Sequence, residues 1–299
     1  MKSTITQPCA TLLISGIVAV ILANHASAQT TLFDDTYARG VNSSGNLTPN
    51  FIGESGADVG SGLSYITYVN SANTTPPNSF LIQNNTLVKT STGQEGIWAL
   101  NYNFTDAAIL SAGGFSVSQN ILAIPSNANQ PQDRFSGYGV GLSLAQVNSF
   151  NDDNSTSLGP RGSITGGTTG VAPFYVDLDS LGAVQVFTGG TLLNTFAIAG
   201  SPTSGTLMTD FTGFSDFNAG TTVDFTVLFD GTEVTTGTFT WSSSGDNYIG
   251  GSMRDSTVTD GEFDVSTVPE PSSVALAFGG LGVMGWLIHC RRGNSKLNT

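Results

Sequence analysis

Alternation of apolar and polar side chains is the feature that most constrains the fold of this chain. It runs through residues 98–104, 138–144, 174–179 and 223–229. A period of two places successive side chains on opposite faces of a β-strand, so each segment predicts a strand with one apolar face. The rest of the chain between its two ends shows no convincing helical period. The pattern therefore predicts an all-β domain.

Turn signals connect these predicted strands. Asp230-Gly231 and Gly189-Gly190 each separate two strand-like segments. Asp-Gly and Gly-Gly supply the positive φ angles that two-residue hairpin turns need. Phe263 and Val265 indicate a closing strand. Many short strands with regular turns are typical of a sandwich or jelly roll, and a body of about 240 residues suits one large sandwich better than two small domains.

The charge balance argues against nucleic acid as a partner. The chain has 9 basic and 22 acidic residues, and four of the basic residues lie in its two end segments. The region between those segments is therefore strongly acidic. Nucleic-acid binding needs Lys and Arg to neutralise phosphates, whereas an acidic surface keeps an exported protein soluble through like-charge repulsion.

Histidine and cysteine are confined to the two ends of the chain, at Cys9, His25, His289 and Cys290. A Ser-His-Asp triad, a cysteine nucleophile and a Cys/His zinc site all need residues that the body lacks. The body also has no disulfide. These absences remove a large share of the possible catalytic chemistry.

The first 28 residues have the features of a secretory signal peptide. Lys2 precedes an apolar run over residues 10–23, and Ala26-Ser27-Ala28 has the Ala-x-Ala pattern of a cleavage site. We predict a signal peptide over residues 1–28, with cleavage after Ala28, and an extracellular domain over residues 29–267. The alternative is an N-terminal membrane anchor, for which the apolar run is short.

The last 32 residues, 268–299, combine three features in a fixed order. Pro269, Glu270 and Pro271 precede an apolar, Gly-containing stretch over residues 272–290, and Arg291 and Arg292 follow it at once. That stretch is near the length that crosses a bilayer, so we predict a transmembrane helix. The basic residues act as a membrane stop and place the C-terminus in the cytoplasm, which leaves the body outside.

These residues resemble the PEP-CTERM sorting signal over residues 268–294. The resemblance implies an exported protein that uses the secretion machinery, is anchored for a time in the lipid bilayer, and is then processed by an exosortase-type membrane protease. It implies a final location at the cell surface or outside the cell, in a biofilm or polysaccharide matrix. The alternative is an ordinary single-pass anchor that follows a chance Pro-Glu-Pro.

Two groups of carboxylates predict a calcium site. Asp152 and Asp153 lie in a polar segment that reads as a loop, and Asp177 and Asp179 share one face of a predicted strand. Ca²⁺ prefers such oxygen ligands. No EF-hand or nonapeptide spacing is present, so a solvated turn and an exposed strand face remain the alternative.

Carbohydrate chemistry is open in two forms. A glycoside hydrolase needs only two carboxylates, but the body's glutamates, Glu54, Glu95, Glu233 and Glu262, are spread singly along the chain. A sugar-binding protein would use exposed aromatic side chains beside Asp or Asn. The candidates are Trp98, Tyr138, Tyr175, Trp241 and Tyr248. Trp98 and Trp241 lie in alternating runs, which favours a place in the core.

The order of strands and turns over residues 174–190 and 223–250 resembles the later half of concanavalin A-like jelly rolls. The resemblance implies a single large antiparallel β-sandwich and carries no site residues. We therefore expect an exported, non-catalytic sandwich, with glycan binding as the leading function. A secreted glycanase on the same fold and a purely structural surface protein are the alternatives.

Overall fold

The computed structural model describes residues 29–38, 63–70, 80–89, 95–125, 134–149, 172–254 and 257–268. Chain contacts define one compact unit over Thr30–Val268. Its elements, in chain order, are β1 (Thr31–Asp35), β2 (Tyr65–Asn70), β3 (Phe80–Gln83), β4 (Thr86–Lys89), β5 (Glu95–Asn103), α1 (Ala107–Ala112), β6 (Gly114–Ala123), β7 (Phe135–Leu142), α2 (Leu144–Ser149), β8 (Phe174–Asp179), β9 (Ala183–Thr188), β10 (Thr191–Ala197), β11 (Gly205–Thr212), β12 (Thr222–Phe229), β13 (Thr232–Thr240), β14 (Tyr248–Arg254) and β15 (Thr259–Thr267).

The strands form two antiparallel sheets. The eight-stranded sheet has the order β13-β12-β11-β6-β15-β4-β3, and β1 pairs with β15 beside that path. The seven-stranded sheet has the order β10-β9-β8-β7-β14-β5-β2. Every strand pair in the described part of the chain is antiparallel, and sequence neighbours often lie in different sheets. The predicted all-β fold with a single large antiparallel sandwich is confirmed.

The core lies between the two sheets and is rich in aromatic rings. Phe263 of the eight-stranded sheet contacts Trp98 and Tyr138 of the other sheet, with ring centroids 4.8 and 5.9 Å apart. All three side chains are fully buried. Large rings bury more apolar area than other side chains, and edge-to-face packing adds to that stabilisation. Trp98 is therefore a core residue, as its alternating context favoured.

Both predicted hairpin turns are present. The turn between β12 and β13 has Asp230 at φ 48° and Gly231 at φ 73°, and the turn between β9 and β10 has Gly189 at 55° and Gly190 at 75°. Positive φ at both central residues matches the right-handed twist of the paired strands. The strand predicted from Phe263 and Val265 is β15.

The strand predicted over residues 138–144 is wrong at its end. β7 stops at Leu142, and α2 begins at Leu144. The Ser143 Oγ accepts a hydrogen bond from the Gln146 N–H at 3.2 Å, and the Gln146 Oε1 accepts one from the Ser143 N–H at 2.7 Å. This reciprocal pair is a capping box, which starts a helix even in a short apolar segment.

The Asp260 carboxyl group lies inside the sandwich. Asp260 of β15 is fully buried and accepts hydrogen bonds from Gln119 Nε2 at 2.6 Å and Ser136 Oγ at 3.1 Å. Gln119 is on the eight-stranded sheet and Ser136 is on the seven-stranded sheet, so the cluster joins the two layers. Burial raises the pKa of Asp260 to about 7, against the lowering effect of the two hydrogen bonds.

Candidate functional site

The Asp177 and Asp179 carboxylates lie on the same face of β8, as the sequence predicts. Val176 and Leu178 point into the core between the sheets, so the two aspartates occupy the opposite face. Both are nevertheless buried, with 0% and 1% exposure. The interpretation of this segment as an exposed strand face is therefore wrong, because the outer face of the seven-stranded sheet is covered here.

Asp179 has a structural task in the β8–β9 turn. Its Oδ1 accepts hydrogen bonds from the backbone N–H groups of Leu181 and Ala183, each at 2.9 Å. Its Oδ2 accepts one from Gln185 Nε2 at 3.2 Å. A side chain that satisfies the backbone donors of its own turn is a common use of aspartate. These donors occupy the oxygens that a cation would need.

The described residues do not form a cluster that could be the predicted metal site. Within the ranges given above, no group of three His, Cys, Asp or Glu side chains is placed to hold a metal ion. Asp152 and Asp153 lie outside the described ranges. Asp177 and Asp179 alone fall short of the six to eight oxygen ligands of calcium sites.

Tyr175 is a packing residue rather than a sugar platform. Its ring covers Gly139 of β7, where an added Cβ would lie 3.1 Å from the ring. Its hydroxyl is 2.9 Å from the Ser252 Oγ on β14, so the side chain crosses one whole strand. Phe187 packs edge-on against it with ring centroids 5.9 Å apart. Glycine at position 139 makes this crossing possible.

Four of the five candidate aromatic side chains are fully buried, namely Trp98, Tyr138, Tyr175 and Trp241. Tyr248, at the start of β14, is partly exposed. Burial and the nearby Asp246 carboxylate raise the pKa of the Tyr248 hydroxyl. Asp246 is itself held by Asn103 Nδ2 at 3.3 Å and by the Leu144 N–H at 3.2 Å. Tyr248 is thus the one candidate aromatic that reaches solvent beside a carboxylate.

A larger feature lies where the sandwich is open at one edge. β10 ends the seven-stranded sheet and β13 ends the eight-stranded sheet, and a cavity of about 710 Å³ lies between β10 and the β12–β13 hairpin. We call it the edge groove. Its apolar wall consists of Phe196, Ile198, Phe229 and Val234, and its polar groups include Thr195, Asp230, Thr232 and Glu233.

The edge groove combines a packed apolar wall with carboxylates at the β12–β13 hairpin. Phe196, Ile198 and Val234 pack against the sandwich core, which holds the apolar wall in place. Asp230 Oδ1 accepts a hydrogen bond from the Thr206 N–H at 2.8 Å, and this contact fixes the Asp230 carboxylate at the turn. The Glu233 side chain is exposed. The groove therefore offers two carboxylates next to a preformed apolar surface.

In the sequence, Asp230 is identifiable only as a turn residue and Glu233 only as an isolated glutamate. A two-residue turn brings the ends of its strands together, so the sequence predicts that Asp230 and Glu233 both lie at the tip of the hairpin. The sequence does not predict that these residues share a groove with Phe196. That arrangement requires the edge strands β10 and β13, which belong to different sheets, to lie at the same edge of the sandwich.

The predicted sorting residues lie outside the described ranges. They are Pro269, Glu270 and Pro271, with the membrane-stop residues Arg291 and Arg292. The signal peptide over residues 1–28 and the transmembrane helix over 272–290 lie outside them as well. In the part of the chain that the structure describes, no helix is both long and apolar enough to cross a membrane.

Comparison with known families identifies the C-terminal end of the chain. Residues 267–292 match the PEP-CTERM protein-sorting motif. This match agrees with the sequence analysis and covers only the tail. No curated protein matches the chain.

Solved structures with a similar arrangement share little sequence with this chain. An endo-1,3-β-glucanase from Streptomyces sioyaensis is 11% identical over 81% of this chain and 98% of its own, with a TM-score of 0.48. The carbohydrate recognition domain of Emp46p is 10% identical over 76% and 98%, with a TM-score of 0.43. The exoplasmic/lumenal domain of VIP36, in its Ca²⁺/Man-bound form, is 9% identical over 77% and 92%, with a TM-score of 0.41.

Proposed function

We propose that this exported, PEP-CTERM-sorted protein is a cell-surface or matrix component whose sandwich binds extracellular glycan, without catalysis, in the edge groove. The observation that carries the proposal is the composition of that groove. Phe196 and Phe229 lie beside the Asp230 and Glu233 carboxylates and the Thr195 hydroxyl. A preformed apolar surface with a few convergent polar groups is typical of a small-molecule binding site.

Sugar chemistry fits this combination. A pyranose ring presents C–H groups on its faces and hydroxyl groups around its edge. Aromatic rings such as Phe196 accept the apolar face, and ionised carboxylates accept hydrogen bonds from hydroxyls more strongly than neutral groups do. The open ends of a groove between two edge strands also allow a chain longer than one sugar to bind.

Substitution of Glu233 tests whether the edge groove binds glycan. We expect Glu233→Gln to weaken glycan binding about tenfold, because one charge-assisted hydrogen bond contributes about 1.5–3 kcal/mol. The measurement is a glycan array on the purified body, with and without calcium, followed by calorimetry on the best ligand. Glu262→Gln is the matched control, since Glu262 is also exposed but lies on β15, outside the groove.

Each outcome of the array has a meaning. Binding that Glu233→Gln weakens and Glu262→Gln does not supports the groove. Binding that depends on calcium and is unchanged by Glu233→Gln places the glycan site outside the edge groove. No binding under either condition rules out the glycan proposal and leaves a structural surface protein.

A glycanase is the second candidate because Asp230 and Glu233 line the same groove. Glycoside hydrolysis needs two carboxylates that flank one glycosidic bond. Incubation of the wild-type protein with every bound glycan, followed by analysis of the reducing ends, distinguishes the two candidates. Release of new reducing ends that Glu233→Gln abolishes would establish the enzyme, and unchanged glycan supports the binding protein.

The sorting motif makes a separate prediction. Replacing Pro269, Glu270 and Pro271 with alanine is expected to leave the protein in the membrane at its full length. Two prolines keep the segment out of a helix, so an extended peptide is presented to the membrane protease, and three alanines favour continuation of a helix. Immunoblots of membrane and medium fractions measure the released form. Release equal to that of the wild type would show that the motif is not read.

A further inference from the structure

β10 is an open edge of the seven-stranded sheet. It ends the strand order of that sheet, and within the described ranges β9 is the strand that it pairs with. Most of its seven residues are exposed. Every second residue of an antiparallel edge strand directs its backbone N–H and C=O away from its neighbour. An open edge therefore offers hydrogen bonds to another strand.

The backbone at Thr195 shows one such group. The Thr195 N–H donates to the Asn194 Oδ1 at 2.9 Å, in a contact that is exposed to solvent. A short side chain that satisfies a neighbouring backbone N–H is a local substitute for a strand partner. The register with β9 is regular from Asn194 to Ala197, after a shift between Leu192 and Asn194. This regular stretch can extend the ladder on its open side.

The β10 edge carries no charge in a strongly acidic chain. β9 and β10 contain no Asp, Glu, Lys or Arg, whereas the whole chain has a formal net charge of −13. Natural sheets commonly protect an open edge with charged side chains. The neighbouring edge strand β13 has such a residue in the exposed Glu233. β10 instead presents Leu193, which at 55% is the most exposed large apolar side chain in the described part of the chain.

A second copy of this chain fits these features. Two copies of one strand that are related by a two-fold axis run antiparallel, which is the direction of every strand pair in the described ranges. An uncharged strip also lets two acidic bodies meet without like charges directly opposite each other. We propose that β10 pairs with β10 of a second copy across a two-fold axis and joins their two seven-stranded sheets into one continuous sheet.

This pairing closes on itself. Each copy uses the same edge once, so the assembly stops at a dimer. Pairing of β10 with a different edge of the next copy would leave an open edge at both ends and would continue into a filament. The dimer requires no glycan, and its formation is measured without one.

Sedimentation of the purified body distinguishes these assemblies. We expect a monomer–dimer equilibrium between roughly 1 and 100 μM protein, a range that brackets weak association. The dimer fraction should rise with concentration and no larger species should form. Monomer throughout that range would overturn the proposed dimer, and so would a series of larger species.

Hydrogen exchange shows which strand forms the contact. Peptides that cover Thr191–Ala197 are expected to exchange their amide protons more slowly at high protein concentration, because partner carbonyls then accept hydrogen bonds from the open edge. Peptides that cover the other edge strand, Thr232–Thr240, are the internal control and should exchange at the same rate at both concentrations. A dimer without added protection in β10 would overturn the assignment of the interface.

A pair of leucine variants tests the edge with a matched change in charge. Leu193→Lys adds a cation to β10, and Leu144→Lys adds one at the start of α2, where Leu144 is 44% exposed. We expect Leu193→Lys to weaken the dimer about tenfold, because the contact loses apolar area and gains two like charges beside the axis. Leu144→Lys should dimerise like the wild type. Equal dimerisation of Leu193→Lys and the wild type would overturn the proposed pairing.

Thermal unfolding shows whether both leucine variants fold. Both side chains are exposed, so neither substitution removes a core contact. If Leu193→Lys does not fold, the hydrogen exchange of the wild-type protein decides, because that measurement needs no substitution.

Discussion

The Gly251→Val variant is expected to lose about 3 kcal/mol of unfolding free energy, the upper end of the usual cost of overpacking a core. Gly251 of β14 pairs with Trp98 of β5. A Cβ at position 251 would lie 2.4 Å from Trp98 Cζ2 and 2.8 Å from its Nε1. Atoms at such distances overlap, so either the indole ring or the strand must move.

The indole ring has little room to move. Trp98 is fully buried, and its ring is held edge-on by Tyr65 at 5.8 Å and by Phe263 at 4.8 Å. Protein interiors are packed as densely as organic crystals, so the displacement passes to these neighbours. Glycine at 251 is therefore a condition for the large ring at 98.

A double-mutant cycle tests that pairing. Trp98→Leu alone creates a cavity and is expected to destabilise the body by about 3 kcal/mol. The double variant should lose clearly less unfolding free energy than the sum of the losses in the two single variants, because the valine fills space that the indole leaves. Urea unfolding of the purified body gives the four free energies.

Trp241→Leu is the control for the cycle. Trp241 is equally buried but packs against Phe214, with ring centroids 5.2 Å apart, and lies near Gly141. Its effect should add to that of Gly251→Val without coupling. Coupling of the same size with both tryptophans would mean that Gly251→Val acts through a general loosening of the sandwich.

Local patterns in the sequence predicted β5, β8, β12 and both tight turns, because strand faces and two-residue turns depend on neighbouring residues. The same patterns missed α2, where the capping box of Ser143 and Gln146 outweighs an alternating context. They also missed the burial of Asp177 and Asp179. Whether the outer face of a sheet is covered depends on distant parts of the chain, which a local pattern does not contain.

The edge groove and the burial of the Asp260 carboxyl group could not be predicted from the sequence for a related reason. The groove joins Phe196 to Glu233 through the order of strands in two sheets. Asp260, Glu262 and Asp264 alternate with other residues along β15, so a regular strand would place all three on its outer face. The pairing register shifts between Asp260 and Glu262, and this bulge turns Asp260 into the core instead.

Burial of Asp260 makes stability depend on pH in an unusual direction. Its pKa is raised from 3.8 to about 7 in the folded protein. Between these values the folded state keeps a proton that the unfolded state has released, so the contribution of Asp260 to stability is full at acidic pH and is lost as the pH rises through 7. The burial-raised pKa of Asp264 acts in the same direction.

Asp260→Asn is therefore expected to stabilise the body at about pH 8, by up to roughly 4 kcal/mol, and to flatten most of the decline in stability between about pH 4 and pH 8. The asparagine amide also suits the site, because Gln119 Oε1 is buried and accepts no hydrogen bond from any described residue. Urea unfolding across this pH range measures the effect. Asp224→Asn, on the exposed face of β12, is the control and should keep the wild-type slope. An unchanged slope in Asp260→Asn would show that the proton is held elsewhere.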